Sequence, residues 1–238
     1  MINKRNILIT GATGDIGFAI AKLLLQEGHT LTLLGRDFSK YEGLSGDYMT
    51  YAIDFSQLEK ISHDLPVIAK NNQQVDALIC CAGRGQFGGL EEFSYTQIRE
   101  LMDLNFLSQA YVVRAFLPYL KRHSHSNLII LGSEAALNGG KQGSVYCASK
   151  FALRGFAQSL RQECARSGLA VSMVNPGMVD TAFFNELDFR PGDAPENSLS
   201  STDIAEVIRL ILAMRAGSVV EEVNLSPLKK VVKQLSKT

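Results

Sequence analysis

Two side chains near the middle of the chain pair in a way that can move a proton. Tyr146 and Lys150, within Tyr146-Cys147-Ala148-Ser149-Lys150, open a segment of helical pattern. Residues at i and i+4 of a helix share a face. A free phenol has a pKa near 10, too high for efficient acid–base work at neutral pH. An ammonium within about 4–6 Å stabilises the phenolate and lowers that value, and an oxidised nicotinamide adds more positive charge. Tyr146 can then protonate a carbonyl oxygen while hydride reaches the carbon. The pair by itself equally describes an ordinary Tyr and Lys at a helix start, so its neighbours matter. Ser133 follows an apolar strand-like run, where a hydroxyl can hold a substrate oxygen at reacting distance; the plainer role is a turn or N-cap serine. Asn105, in Asp103-Leu104-Asn105-Phe106, falls inside a helical pattern, where Asn is a mediocre helix former. A mid-helix amide is either a satisfied core group or part of a proton relay.

A second constellation lies at the start of the chain. Thr10-Gly11-Ala12-Thr13-Gly14-Asp15-Ile16-Gly17 sits between a strand and a helix. Glycines there permit a tight turn and let backbone N–H groups approach a pyrophosphate, which the helix N-terminus also attracts. Glycine also serves turns for conformational reasons alone; the strand–turn–helix context is what favours a dinucleotide. The second strand ends in Leu34-Gly35-Arg36. A fold selective for NAD(H) usually places a carboxylate there for the ribose 2′-hydroxyl. An Arg instead suits a 2′-phosphate through its planar fork of donors, so NADP(H) is expected over NAD(H). A solvated Arg36 paired with Asp37 is the plainer alternative.

The elements that must position these groups alternate along the chain. Strands are expected at Asn6–Thr10, Thr30–Leu34, Tyr48–Ile53, Asp76–Cys80, Asn127–Leu131, Ala170–Asn175 and Val219–Leu225. Helices are expected at Asp15–Gly28, Ser56–Lys70, Tyr95–Lys121, Tyr146–Arg166 and Thr202–Met214, the last with Ser201 or Thr202 as N-cap. Asp180–Ser200, with Pro191, Gly192 and Pro195, reads as an irregular flap before that helix, and a basic tail closes the chain at Lys237-Thr238. Repeated strand–helix–strand order implies an α/β, doubly wound, Rossmann-type parallel sheet of about seven strands with helices on both faces. Ligands of such sheets bind at the carboxyl ends of the strands. No repeat or linker divides residues 1–238, so one domain with a substrate flap around residues 181–200 is expected.

Six motifs in this order carry a resemblance over essentially the whole chain: Thr10-Gly11 with Gly17, Cys81-Ala82-Gly83, Asn105, Ser133, Tyr146 with Lys150, and Asn175-Pro176-Gly177-Met178-Val179-Asp180-Thr181. The chain resembles the short-chain dehydrogenase/reductase family in its single-domain branch. That resemblance implies Tyr146 as general acid–base, Ser133 orienting the carbonyl, and Lys150 lowering the tyrosine pKa and bonding the nicotinamide ribose. It implies a water on Asn105, Asp54 and Phe55 framing the adenine, and Ala82 with Gly83 lining the central cofactor path beside Cys81. Pro176, Gly177 and Val179 would meet the nicotinamide through backbone, and Thr181 its carboxamide or the pyrophosphate. Family members pair helices across a two-fold axis, which implies a homodimer or homotetramer.

Two departures stand out. Glycines at 11, 14 and 17 match the longer branch that includes sugar-nucleotide epimerases, and Asp15 takes a position where the short branch has glycine. We expect Asp15 to point outward as a helix cap. Cys80-Cys81 replaces two asparagines that brace the sheet in the family. Cys147 reads as a small core residue, since no His accompanies it.

The substrate pocket is expected from Phe87, Ala135 to Asn138 and the flap, whose Phe183, Phe184, Leu187 and Phe189 suit an apolar or aromatic carbonyl or alcohol. The alternative is that these rings pack on their own helices. Hydrophobic residues at 46% and charged residues at 20% fit a folded enzyme, and 24 basic against 24 acidic residues favour neither nucleic acid nor a membrane as partner. No apolar run reads as a signal peptide or membrane span. The four cysteines form neither a metal nor a disulfide pattern, so a reducing cytoplasm is expected. Two other functions share these residues: a non-catalytic NADP(H) sensor, against which the complete Ser133–Tyr146–Lys150 set argues, and a sugar-nucleotide epimerase or dehydratase, against which the chain's shortness argues.

Overall fold

A computed structural model describes residues 4–235. Its centre is a seven-stranded, all-parallel sheet made of β1 (Asn6–Thr10), β2 (Thr30–Gly35), β3 (Asp47–Ala52), β4 (Ala77–Cys80), β5 (Ser126–Leu131), β6 (Leu169–Pro176) and β8 (Glu222–Leu225), in the order β3-β2-β1-β4-β5-β6-β8. Chain order reverses between β1 and β4, and that reversal opens a crevice at the carboxyl ends of the strands.

The central strands read as continuous apolar runs because both faces are covered. Leu8, Leu34 and Leu78 point to the side packed by α2 (Leu58–Asn71), α4 (Ser108–Leu120) and α5 (Ser144–Cys164). Ile7, Ile9, Leu31, Leu33 and Ile79 point to the side packed by α1 (Asp15–Gln26) and α6 (Ser201–Leu212). This period-2 division of side chains yields two cores, one above and one below the sheet. No helix among the described residues is long and apolar enough to cross a membrane.

The sequence-based elements hold with four corrections. The helix expected over Tyr95–Lys121 is α3 (Tyr95–Met102), a π-helical turn at Asp103–Leu107 and α4. The N-cap of α6 is Ser200, not Ser201 or Thr202: its Oγ accepts from the Asp203 amide at 3.1 Å while Asp203 accepts from the Ser200 amide at 2.8 Å. That reciprocal pair satisfies two otherwise orphaned donors. The flap is not wholly irregular, for it contains β7 (Phe189–Pro191). And the C-terminal segment is not a free tail, since β9 (Val232–Gln234) pairs antiparallel with β7. Lys237-Thr238 lie outside the described residues.

Candidate active site

The first glycine of the turn after β1 is held at φ +63°, and a Cβ on it would stand 2.8 Å from the Ala82 backbone. A Cβ on Gly17 would strike the Gly11 carbonyl oxygen. Gly11 and Gly17 thus let the turn close against both the chain after β4 and the first turn of α1. Gly14 is the N-cap of α1 and uses no side chain, and Thr13 packs its side chain onto Gly35, where a Cβ would come within 2.6 Å of it. Ile16 faces a cavity of about 380 Å³ that spans the carboxyl ends of β4, β5 and β6.

Asp15 is not a cap. Its Oδ2 accepts from the Ala182 amide of the flap at 2.8 Å, and its Oδ1 takes Lys40 Nζ at 2.9 Å. The hydrogen bond from Lys40, then that from Ala182, hold its carboxyl below the usual range against the opposing effect of partial burial. The side chain points toward the flap, where the Lys40 ammonium and the Ala182 N–H both meet it.

The loss of asparagine at 80 and 81 is covered from another direction. Thr10 Oγ1 accepts from the Cys81 and Ala82 amides at 3.1 and 3.3 Å and donates to Gln109 Oε1 at 3.3 Å. Gln109 Nε2 donates to the Ala82 carbonyl at 2.9 Å. The Cys81 amide and both the amide and carbonyl of Ala82 are thereby paired, as buried backbone requires. Cys81 and Gly83 line the cavity.

Arg36 and Asp54 stand at the ends of β2 and β3. Asp37 does not pair with Arg36; it accepts from the amide and hydroxyl of Ser39 at 2.9 and 3.1 Å. Asp54 accepts from the Ser56 amide at 3.0 Å, and that bond, with Ser56 Oγ and the Arg36 charge, draws its pKa down. Arg36 is exposed. The Phe55 side chain is buried in the core cluster that holds Leu8 and Leu34, so any part it takes at an adenine falls to its backbone.

The acid–base set comes together at the base of the cavity. Tyr146 is in the first turn of α5, with Lys150 one turn on; both are buried and both line the cavity with Ser133. Ser133 takes the N-cap role expected as its plainer alternative. Its Oγ accepts from the Ala135 amide at 3.1 Å, capping the 3-10 turn Glu134–Ala136, and its hydroxyl exerts a downward pull on the Tyr146 pKa. Lys150 Nζ donates to the Leu131 carbonyl at 3.3 Å and lies 5.8 Å from the Tyr146 ring centre.

The titration of this pair differs from expectation. Burial pushes the Tyr146 phenol up to about 12, outweighing the downward pull of the Ser133 hydrogen bond, while Cys147 and the Glu134 carboxylate add upward pressure. Burial also pushes the Lys150 amine down to about 8. Desolvation disfavours whichever form is charged, so it moves an acid and a base toward each other's neutral state.

Asn105 sits in the π-helical turn, fully buried. Its Oδ1 accepts from the Arg84 amide at 2.9 Å, and its Nδ2 donates to the Arg84 carbonyl at 3.0 Å and to Ser149 Oγ at 3.1 Å. It is a clamp between the loop after β4 and α5. A Cβ on Gly83 would lie 3.1 Å from Asn105 Oδ1 and 3.8 Å from Lys150 Nζ, so the three converge. A π-turn at such a point is a frequent feature of functional sites.

Pro176, Gly177, Met178, Val179 and Thr181 line the cavity from the end of β6. Opposite them the flap supplies aromatic rings. Phe87 is 5.0 Å from both the Tyr146 and Phe189 ring centres, and Phe183 is 6.2 Å from Tyr146. Phe183 also covers Gly85, where any Cβ would meet its ring. Of the expected pocket residues, Ala135 and Asn138 reach the cavity, but Ala136 is buried in the core and Leu187 does not line it. Cys147 is buried as expected, with its Sγ accepting from the Gly140 amide at 3.3 Å, yet it also borders the cavity. Sequence reasoning missed Glu134, Lys230 and Val232 as wall residues. The β-branched pair Val231-Val232 was the one available signal for a strand in the tail.

A doubly wound sheet with a glycine turn at its switch point and a Ser–Tyr–Lys cluster at its carboxyl edge defines a class, and comparison bears this out. Residues 5–190 match the family model described as short chain dehydrogenase. The chain belongs to the short-chain dehydrogenase/reductase family and is an oxidoreductase enzyme. It is 29% identical over 230 residues to an uncharacterised oxidoreductase of Staphylococcus epidermidis, covering 95% of this chain and 98% of that one. An uncharacterised oxidoreductase of Staphylococcus aureus is 27% identical over 95% of this chain and 99% of its own. Among solved structures, an alcohol dehydrogenase of the archaeon Thermococcus sibiricus complexed with 5-hydroxy-NADP superposes with a TM-score of 0.85 at 26% identity, covering 96% of this chain and 99% of that one. A metagenomic short-chain oxidoreductase in complex with NADP gives 0.80 at 26% identity over the same shares.

Proposed function

We propose that this enzyme interconverts a ketone or aldehyde with an alcohol, using NADP(H) in preference to NAD(H). The observation that carries the reading is that Ser133, Lys150 and the buried Tyr146 line one cavity, with Lys150 Nζ 5.8 Å from the Tyr146 ring centre. The residues fit a nicotinamide dinucleotide. Lys150 uses one N–H on Leu131, leaving donors for a ribose, and Gly11 and Gly17 keep the turn tight enough for backbone N–H groups to reach a pyrophosphate. Arg36, exposed at the end of β2 without a carboxylate in the NAD-type position, supports recognition of a 2′-phosphate. Two similar structures that hold NADP or its 5-hydroxy derivative support the same choice.

The bound cofactor would supply or accept hydride at the carbonyl carbon. Tyr146, with a phenol at about 12, keeps its proton at neutral pH and so is ready to donate it to a carbonyl oxygen. Ser133 orients that oxygen from the cavity wall it shares with Tyr146. Lys150 stabilises the phenolate that results, because an amine at about 8 is mostly protonated near neutrality. The aromatic flap excludes water from the transfer, which strengthens each of these interactions. Tyr95 on α3 and Phe151 on α5 are exposed, which supports association into a homodimer or homotetramer, to be measured by light scattering.

The test is a titration with NADPH and NADH followed by nicotinamide fluorescence, repeated with Arg36→Ala. A preference for NADPH of about tenfold or more, lost in the variant, is expected for a 2′-phosphate clamp. Equal affinity for both overturns the NADP(H) choice. Binding of neither overturns the enzymatic reading.

A further inference from the structure

The segment after β8 is bound to the flap from Lys229 to Leu235. Lys229 N–H donates to the Glu196 carbonyl at 2.9 Å and its Nζ reaches Glu196 Oε1 at 3.1 Å. Asn197 Nδ2 donates to the Lys229 carbonyl at 3.2 Å, and the Gly192 amide to the Val231 carbonyl at 3.0 Å. β9 then pairs with β7, Lys233 Nζ meets Asp193 at 2.7 Å, and the Leu235 amide donates to the Asp188 carbonyl at 2.7 Å. Flap and C-terminal segment are one two-layered unit. From it Lys230 and Val232 reach the cavity, facing Glu134 next to Ser133.

Four charged side chains border this cavity: Arg84, Glu134, Lys150 and Lys230. Arg84 turns to Glu100 at 3.4 Å, and Lys150 is held on the Leu131 carbonyl. Glu134 Oε2 is met by Lys230 Nζ at 2.6 Å. Beside Tyr146 the wall carries Phe87, Phe183, Phe184, Phe189 and Val232, with Ser133, Asn138 and Thr181 as its uncharged polar groups. The ion pair is half-exposed, so its worth to stability is small. What it changes is the charge that a ligand sees at the pocket wall.

We infer that residues 229–235 form the outer wall of the substrate pocket and that Lys230, by neutralising Glu134, makes the pocket selective for uncharged aromatic carbonyl compounds over cationic ones. The word substrate rests on the reductase reading; the pocket and its charge balance do not. Without Lys230 the Glu134 carboxylate stands unpaired at an apolar wall, where it attracts an ammonium group and repels a carboxylate.

The experiment measures calorimetric binding of para-ethylacetophenone, para-(aminomethyl)acetophenone and para-acetylphenylacetate to the full chain, with and without NADP+. The proteins compared are the natural chain, Lys230→Ala, Lys230→Arg and Lys230→Ala combined with Glu134→Gln. The natural chain should bind the neutral ketone about tenfold more tightly than the ammonium compound. Lys230→Ala should erase that preference and weaken the carboxylate further, while Lys230→Arg and the double variant should restore it. No binding of the neutral ketone to the natural chain overturns the inference, and so do affinity ratios that Lys230→Ala leaves unmoved. Binding with this charge pattern but no NADPH consumption sinks the reductase reading alone. Turnover of small aldehydes with unmoved ratios sinks the pocket inference alone.

Discussion

The Asp15 carboxylate and the Ala182 amide, 167 residues apart in the chain, are joined by a 2.8 Å hydrogen bond that ties the flap to the glycine turn. The residue that departs most from the family's glycine pattern is therefore a fastening for the element that covers the site. Asp15→Ala should release it. Hydrogen exchange at the Ala182 amide is expected to quicken by about tenfold or more, with exchange in β1 unchanged. Equal exchange at Ala182 in both proteins would show that the flap is held closed by its aromatic and β7–β9 contacts alone.

Tyr146→Phe removes the proton donor and leaves the ring packed against Phe87. Carbonyl reduction should fall by at least about 100-fold, the usual range for a lost acid–base group. Cofactor affinity should change little. Single-turnover kinetics separate the two, and a variant that keeps its rate would remove Tyr146 from the chemistry.

Lys150 gives the apo enzyme a distinctive pH dependence. Its amine titrates at about 8 in the fold and near 10.4 in the unfolded chain. Between those values the unfolded chain binds more protons, so stability climbs with pH through that window. Below about 8 the cost of the buried charge is fully present; above about 10.4 it is gone. Lys150→Met should therefore stabilise the apo protein by about 1–3 kcal/mol near pH 7, and by progressively less toward pH 10. Urea unfolding of both proteins at the two ends of the window tests this. A pH-independent difference would place the amine's titration elsewhere.

Gly17→Ala drives a methyl into the Gly11 carbonyl oxygen, a backbone atom that cannot step aside. A loss of about 1–3 kcal/mol is expected, typical of forced overpacking. Gly14, with φ −77° and its nearest would-be neighbour at 3.4 Å, should accept Ala within about 1 kcal/mol. Chemical denaturation of the two variants side by side checks both. A Gly17→Ala protein as stable as the natural one would mean that the turn relaxes more readily than its geometry implies.

Much of this molecule could be read from its residues in order. Apolar runs placed the central strands of the sheet, because a strand buried on both faces must be apolar throughout; the less buried edge strands β3 and β8 followed from their place in the strand–helix alternation. The glycine turn, Ser133, and Tyr146 with Lys150 were legible as types at fixed spacings. What could not be read depended on partners far along the chain. Helical periodicity through residues 95–121 hid the π-turn, since one inserted residue hardly disturbs an apolar stripe. Phe55 looked like a cofactor contact by position, and only packing against Leu8 and Leu34 placed its ring in the core.

The sequence by itself determined the class of fold, the order of its strands and the chemical groups available at their carboxyl ends, because these follow from local periodicity and from side-chain type. The tertiary structure alone decided three further things: that Asp15 fastens the flap, that the C-terminal segment brings Lys230 against Glu134 at the pocket wall, and that the Tyr146 phenol is raised above its ordinary value. The first two are contacts between segments far apart in the chain, which no local pattern encodes. The third is set by desolvation, which exists only once the chain has buried the phenol.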